Sequence, residues 1–244
     1  MCLASGPLGG GLGLRTWVIN ATVDSAYACT DPDIHLLHIA HDLDLSPPGI
    51  GMLTAVDVRE TVTAEDGGVH VVATVGLGHP TWAAAPDGDL RGGGRAGTIN
   101  ISAWLPVPLS PAALVNSVST ITEAKVQALW AYGREATGTA TDALCVACVG
   151  DGRAEPYGGP RSTWGARLAR AVHAAVGKGT AAWLHRDETG VASPPPRSFL
   201  ARTSARGAGL ASPPPRSFLA RTSVRGSRLV APESDSLGTT PGSP

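Results

Sequence analysis

The fold is decided by three consecutive segments: GTINISAW (residues 97–104), SPAALVNSVSTITEAKVQALWAY (residues 110–132) and DALCVACV (residues 142–149). The first and third are short runs of apolar and β-branched residues, which are typical of buried strands. The second predicts a helix, because Ser110 and Pro111 are favoured at the N-cap and at the first helical position. The three segments together predict a β-α-β unit.

The N-terminal part of the chain carries a second copy of this pattern. Residues 17–23 (WVINATV) predict a strand, and Asp31 and Pro32 start a helix that ends near Leu43. The two copies share a glycine triplet (residues 9–11 and 92–94), an arginine five residues before an asparagine (Arg15 with Asn20, Arg95 with Asn100) and a similar tetrapeptide (residues 54–57 and 139–142). The pattern indicates two halves related by duplication, with Asn20 and Asn100 equivalent and a ligand site at their junction. Chance agreement of short glycine-rich strings is the alternative.

The other predicted elements complete one domain. Residues 51–58 and 69–75 are β-rich and predict a hairpin through the Glu-Asp-Gly-Gly turn at 65–68, while residues 162–176 predict a last helix. Alternating strands and helices predict an α/β fold, with α+β as the alternative. We therefore expect a single domain over residues 1–188, built from two β-α-β-like halves with a mixed sheet and packed helices.

The C-terminal region has a different composition. SPPPRSFLARTS occupies residues 193–204 and recurs letter for letter at residues 212–223, a period of 19 residues. Two copies are too few for a solenoid, and proline triplets with arginine and serine do not supply a packed core. Residues 189–244 are therefore predicted to form a disordered tail rich in Pro, Arg and Ser.

Composition excludes several classes of protein. Residues 1–188 carry 12 Lys and Arg against 18 Asp and Glu, so the predicted domain is acidic and unsuited to binding nucleic acid. The four cysteines are too few and too irregular for a secreted disulfide framework. Neither a signal peptide nor a stretch of about 20 apolar residues is visible. We expect a cytoplasmic protein without a nucleic-acid or membrane partner; the oligomeric state is left open.

The long helix predicts one unusual lysine. Lys125 falls within an apolar arc of the helix, and it and Glu123 are the only charged residues of the segment. The arc consists of Leu114, Val115, Val118, Ile121, Val126 and Leu129. Since a solvated surface helix would carry more charges, we predict that this helix is covered on most sides. A desolvated ammonium must be paired or lose its proton. Lys125 is therefore either half of an ion pair that fixes the helix or a residue that lines a site together with the neighbouring Thr122.

Two further segments could carry chemistry. The Thr-rich turn at residues 137–142 (TGTATD) can offer N–H groups to an oxyanion, although ordinary turns of this composition are common. His79 follows a strand in a Gly/Pro loop, a frequent place for catalytic residues, although a surface loop histidine is an equal alternative.

Metal motifs are discounted. Cys145 and Cys148 have CxxC spacing but lie in a predicted strand, where they face opposite sides. His35, His38 and His41 recur along the first helix but span about 120° of it. No metal site is predicted.

A series of short strings in a fixed order resembles the adenosylcobinamide amidohydrolase family of corrinoid salvage. The strings are GGG (9–11), WVIN (17–20), VGLG (75–78), GTIN (97–100), LVN (114–116), TEAK (122–125), TGTATD (137–142) and YGG (157–159). The resemblance runs from about Pro7 to Val176. Family members carry further sequence ahead of the glycine-rich loop, so the domain is predicted to be short at its N-terminus.

The resemblance implies hydrolysis of the amide that joins aminopropanol to the acid side chain of the corrin ring. The corrinoid is then the substrate, and no cofactor is expected. Two alternatives are a corrinoid-binding protein without activity and an amidohydrolase that acts on another small molecule.

The implied reaction assigns roles to the polar residues. Glu123 or Asp142 would activate water, and Lys125 or the backbone of residues 139–141 would stabilise the oxyanion. The residues expected to bind substrate are Asn20, Asn100, Asn116, His79, Thr137, Thr139 and Thr141. Thr139 and Thr141 are disfavoured as covalent nucleophiles, because neither has an identifiable base beside it in the sequence.

Overall fold

The computed structural model describes residues 1–87 and 97–187, and the backbone of residues 188–189, 198–204 and 220–224. In chain order the strands are β1 (Cys2–Ala4), β2 (Gly11–Gly13), β3 (Trp17–Thr22), β4 (Ile50–Thr54), β5 (Val62–Asp66), β6 (Val69–Val75), β7 (Pro80–Thr81), β8 (Ile99–Leu105), β9 (Gly138–Thr139), β10 (Ala143–Cys148), β11 (Ser198–Ser204) and β12 (Ala220–Val224). The helices are α1 (Pro32–Asp42), α2 (Pro111–Ala131) and α3 (Thr163–Thr189), with a short 3₁₀ turn at Val58–Glu60. The predicted α/β class is confirmed.

Each half of the domain contains the predicted β-α-β unit. β3 pairs in parallel with β4 through α1, and β8 pairs in parallel with β10 through α2. The two tetrapeptides are not equivalent, however. Residues 54–57 begin at the last residue of β4, whereas residues 139–142 end just before β10 starts. The first tetrapeptide therefore lies at the end of the second strand of its unit, and the other lies before the start of the second strand.

Two sheets pack face to face between helices. The larger sheet has the order β2-β1-β10-β8-β6-β5, and β3 and β4 belong to a second, smaller sheet. One core cluster joins α2 and α3 to the outer face of the larger sheet, and another joins α1 to the outer face of β3. A third cluster lies between the sheets and contains Cys2, Ala4, Ile50, Met52, Ala143 and Cys145. The architecture is thus four layers: helices, sheet, sheet and helix.

The predicted hairpin has a different first strand. β6 pairs antiparallel with β5, not with residues 51–58, because Gly67 and Gly68 both adopt positive φ and reverse the chain within two residues. The strand that directly precedes this turn must therefore be the partner of β6. The run at 51–58 ends as a strand at Thr54, and Asp57 then caps the 3₁₀ turn by accepting the N–H of Arg59.

The last helix is longer than predicted. It ends at Thr189 instead of Val176, although Gly177 and Gly179 follow the predicted end. A Cβ at Gly177 would lie 2.9 Å from the Tyr132 ring, and one at Gly179 would overlap the side chain of Val75. The glycines thus permit close packing of α3 on its neighbours, and this contact outweighs their low helix propensity.

The first residues of the chain and the repeated region form strands that the sequence did not predict. β1 pairs antiparallel with β10, with Ala4 opposite Cys145. From the repeated region, β11 pairs antiparallel with β3 and with β12. The rest of residues 189–244 lies outside the described residues, so the domain boundary and the disordered tail stay predictions. Within the described residues, no helix is long and apolar enough to cross a membrane.

Candidate active site

Lys125 forms an ion pair with Asp142 at the larger sheet. Lys125 projects from α2, and Asp142 directly precedes β10, the strand that α2 leads into. Lys125 Nζ lies 2.5 Å from Asp142 Oδ2, and the two side chains are 11% and 15% exposed. The mostly buried ammonium therefore has the partner that its position in the sequence required.

The Asp142 carboxylate is held by both of its oxygens. Oδ1 accepts the backbone N–H of Ile99 at 2.9 Å and the hydroxyl of Thr139 at 2.5 Å. Oδ2 accepts the backbone N–H of Thr139 at 3.2 Å in addition to Lys125. Thr139 thus has a carboxylate three residues further along the chain as its neighbour, which the sequence reasoning overlooked.

Gly138 leaves the space in which the ion pair sits. A Cβ at this position would lie 2.5 Å from Lys125 Nζ and closer still to Asp142 Oδ2. No side chain larger than hydrogen is therefore compatible with the pair as it stands.

The remaining threonines fix the turn to its surroundings. The hydroxyls of Thr141 and Thr98 lie 2.6 Å apart. The Thr137 hydroxyl accepts the N–H of Ala83 at 2.7 Å and donates to the carbonyl of Thr81 at 3.2 Å. These bonds tie the turn to β7, which also pairs with β9.

Asn20 and Asn100 meet between the two sheets. Asn100 Nδ2 donates to Asn20 Oδ1 and to the carbonyl of Leu53, both at 2.8 Å, and Asn100 Oδ1 accepts the N–H of Ala143 at 3.2 Å. Asn20 Nδ2 donates to the Thr74 hydroxyl at 3.0 Å. Since Asn100 is buried and both of its N–H donors are used, it holds the start of β10 rather than presenting its amide to a ligand.

Two cavities open along α2. A small one of about 110 Å³ is lined by Lys125, Asp142, Thr122 and the apolar side chains Ile99, Ile101, Ile121, Ala143 and Leu144. An open depression of about 490 Å³ is lined by Thr122, Glu123, Val126, Gln127 and Trp130. Thr122 borders both, so the small cavity and the depression adjoin. The small cavity has room for an amide group and a water molecule.

The other predicted residues lie further from the ion pair. Glu123 is exposed on the depression, about 200° around the helix from Lys125. Asn116 is exposed beside Gly159, nine residues and about 13 Å along the helix from Lys125. His79 is half-buried and directly precedes Pro80, whose register partner is Thr139.

Comparison with known proteins identifies the family of the chain. The sequence model of the family described as adenosylcobinamide amidohydrolase matches residues 1–188. The chain belongs to the adenosylcobinamide amidohydrolase family. A protein of Halobacterium salinarum with that name is 35% identical over 169 residues, which cover 63% of this chain and 72% of the relative. A second one, from Methanosarcina mazei, is 29% identical over 174 residues, 68% of this chain and 82% of the relative. No solved structure matches the chain.

Membership of this family confirms the predicted class of enzyme, an amidohydrolase connected with corrinoid salvage. Hydrolysis of an amide needs a polarised carbonyl, a positioned water and a proton for the departing amine. An ammonium beside a fixed carboxylate, at the wall of a cavity that admits an amide, can supply each of these.

The thiols and imidazoles of the described residues do not form a metal site. No group of three or more His, Cys, Asp or Glu side chains with suitable geometry occurs among residues 1–87 and 97–187. Cys145 lies in the cluster between the sheets and Cys148 in the cluster under α2 and α3, so they face opposite sides of β10 as predicted. Tyr27 stacks on His35, with its hydroxyl 2.8 Å from Nδ1.

The apolar arc predicted for α2 coincides only in part with its buried face: Leu114, Ile121 and Leu129 are buried, but Val115 and Val126 are not. Val115 is 59% exposed, and Val126 lines the open depression. The residues of α2 that are buried are Ala113, Leu114, Ser117, Thr120, Ile121, Ala124, Ala128 and Leu129. Small side chains predominate on this face because they allow backbone to approach closely: a Cβ on Gly158 would collide with the Ala113 carbonyl and with Ser117. The helix therefore has an uncovered apolar side.

Proposed function

We propose that this chain hydrolyses the amide that joins aminopropanol to the acid side chain of the corrin ring in adenosylcobinamide, and that the reaction takes place in the small cavity at Lys125 and Asp142. The observation that carries the proposal is the ion pair on the wall of a cavity of about 110 Å³. The family name supports the choice of substrate. The proposed compartment is the cytoplasm.

Lys125 is proposed to polarise the carbonyl of the amide. One of its three N–H donors points at Asp142, which leaves the others for a substrate oxygen in the cavity. In a site with apolar walls such as Ile101 and Ile121, an ammonium stabilises a developing oxyanion more strongly than it does in water.

Asp142 is proposed to activate the water. Asp142 lines the cavity, and the hydrogen bonds from Ile99 and Thr139 to Oδ1 fix the direction of the carboxylate. The water oxygen attacks the carbonyl carbon as one of its protons passes to Asp142. The C–N bond then breaks, the nitrogen receives that proton, and the products are a carboxylic acid and aminopropanol.

The geometry favours Asp142 over Glu123 as the base. Glu123 is exposed and lines the depression, not the cavity that holds Lys125. The Thr139 hydroxyl donates to Asp142 but does not border the cavity, so we assign it to positioning the carboxylate and not to covalent catalysis. Asn20 and Asn100 are proposed to position the strand ends.

The other residues are proposed to contact the periphery of the substrate. Asn116 and His79 carry exposed or half-buried polar side chains, and corrin side chains bear many amides that such groups can bind. Thr141 lies in the turn at residues 137–142 and contacts Thr98, and Thr137 holds the loop that contains Trp82.

The proposal is tested by incubating the protein with adenosylcobinamide and measuring adenosylcobyric acid and aminopropanol by mass spectrometry. Asp142→Asn and Lys125→Met should each lower kcat by a factor of about 10² to 10³, whereas Glu123→Gln, the matched control on the same helix, should retain it. Because Lys125→Met leaves a mostly buried carboxylate unpaired, thermal melts must accompany each variant.

Wild-type turnover in folded Asp142→Asn and Lys125→Met proteins would contradict the proposed site. Binding of the corrinoid without any product would identify a binding protein instead. Cleavage of simple amides but not of adenosylcobinamide would identify a different amidohydrolase.

A further inference from the structure

Two exposed tryptophans touch each other beside the candidate active site. Trp82 follows β7 and Trp130 lies in the last turn of α2. Their ring centroids are 5.8 Å apart and their planes meet at 89°, an edge-to-face contact. The side chains remain 45% and 53% exposed. Large aromatic surface left in water in this way is typical of a binding surface.

The tryptophan pair adjoins the cavity through the open depression. Trp130 forms one end of the depression and Thr122 forms the border with the cavity that holds Lys125. Trp82 stands one residue after β7, the strand that pairs with β9 in the turn of the ion pair. Trp130 and Lys125 thus both lie on α2, and Trp82 and Asp142 lie next to the paired strands β7 and β9.

The depression combines apolar surface with neutral hydrogen-bonding groups. Val126 and Trp130 supply the apolar surface, and Gln127 supplies an amide that can both donate and accept. The Thr122 hydroxyl donates to the carbonyl of Val118, which leaves its oxygen free to accept. Glu123 is the single charged group of the lining and an acceptor for N–H donors.

We infer that Trp82, Trp130 and the depression bind the corrin ring of the substrate while its amide occupies the adjoining cavity. This inference rests on the proposed function. The corrin ring has a broad conjugated face and a rim of amide side chains, which matches aromatic surface bordered by Gln127 and Thr122. The ring is joined to the cleaved amide by a short acid side chain, so it must lie just outside the cavity. The adenosyl group is attached to the cobalt and lies further from the amide.

The test is the affinity of Trp130→Ala and Trp82→Ala for adenosylcobyric acid and cyanocobyric acid, measured by isothermal titration calorimetry. Both ligands carry the corrin ring and lack the amide bond to aminopropanol that the enzyme is proposed to cleave. We expect Kd to rise about tenfold or more in each variant, by the same factor for both ligands. Trp130→Phe, which retains a ring, should recover most of the affinity. Tyr157→Ala is the matched control, since Tyr157 is an aromatic residue 70% exposed that lines neither cavity.

Unchanged Kd values in both tryptophan variants would overturn the inference. A loss confined to the adenosylated ligand would also overturn it, because it would assign the tryptophans to the adenine base. Failure of the proposed function is distinguishable: wild-type protein would then bind cobyric acid through the tryptophans but release no product from adenosylcobinamide. The opposite result is also possible: turnover could depend on Asp142 while the affinity for the ring is unchanged in both tryptophan variants. That result would overturn this inference but not the proposed function.

Discussion

Replacing Gly138 by alanine should separate Lys125 from Asp142 while adding a single methyl group. The new Cβ would lie 2.5 Å from Lys125 Nζ and closer to Asp142 Oδ2. Asp142 is restrained by Ile99 and Thr139, so the flexible end of Lys125 must move most. The change therefore tests the ion pair without altering either of its members.

The size of the effect follows from the geometry of the pair. Extending the Nζ–Oδ2 distance from 2.5 Å to about 4.5 Å weakens the Coulomb attraction by about 3 kcal/mol at an effective dielectric constant of about 20. Water that enters beside the displaced ammonium recovers part of this loss. We expect the free energy of unfolding to fall by about 1 to 2 kcal/mol, which corresponds to a decrease in Tm of about 2 to 8 °C for a domain of this size.

The effect on turnover should be larger than the effect on stability. A displacement of about 1 Å of a group that contacts the reacting atoms can lower the rate about 10²-fold. Thermal melts by circular dichroism and the release of aminopropanol from adenosylcobinamide measure the two effects separately. Gly150→Ala is the matched control, because a Cβ at Gly150 meets no atom within 4 Å and should leave both values unchanged.

A Gly138→Ala protein with the Tm and turnover of the Gly150→Ala control would refute the reasoning. It would show either that the ion pair does not occupy the space beside Gly138 or that the reaction does not depend on it. Loss of turnover without loss of folded protein would support both steps.

Three further predictions concern groups around the pair. Thr139→Val removes the hydroxyl that donates to Asp142 and should lower kcat about tenfold at unchanged KM, whereas Thr139→Ser should retain the wild-type kcat. Equal kcat values in the valine and serine variants would exclude a role of the hydroxyl in positioning the carboxylate. Asn100→Leu leaves the buried partners of Asn100, the Asn20 side chain and the Ala143 N–H, without their hydrogen bonds. It should reduce the free energy of unfolding in urea by about 2 to 4 kcal/mol. An unchanged midpoint of urea unfolding would contradict a stabilising hydrogen bond between the two sheets. Burial tends to raise the pKa of Asp57, but hydrogen bonds from Arg59 outweigh it and leave that pKa below its usual value. The resulting stability is present above the unfolded pKa of about 3.9 and is lost as the pH falls through the lower folded pKa, so Asp57→Asn should lower Tm at pH 7 but approach wild type in acid.

Local patterns were sufficient to predict both β-α-β units. Ser110 does cap α2, accepting the N–H of Ala113 at 3.1 Å, and Pro111 stands in its first turn. Such signals act within a few residues, so a single sequence displays them. Pairing over longer distances was less accessible: β1 joins β10 across some 140 residues, and nothing in its three residues specifies that partner.

The candidate site was likewise predictable only in part from the sequence. A lysine in an apolar arc required a counter-charge, but its position in the sequence did not identify Asp142, 17 residues away, as the partner. Reversal of the chain between α2 and β10 brings the two together. The spacing of Asn20 and Asn100 likewise suggested a junction, and the hydrogen bond between their side chains confirms that they meet there.

The exposed positions of Val115 and Val126 on α2 are informative about function. Val115 and Val126 were expected to be covered, as the rest of the apolar arc is, because hydrophobic side chains on a helix usually face inward. The buried face combines Leu114, Ile121 and Leu129 of that arc with Ala, Ser and Thr side chains that allow neighbouring backbone to approach closely. Val126 and Trp130 lie on the open side, where they border the cavity of Lys125 through Thr122. Exposed apolar residues are costly to solubility, and here they adjoin the groups proposed to carry the reaction. An apolar substrate surface accounts for both their exposure and their position, which is the reason to seek the corrin ring there.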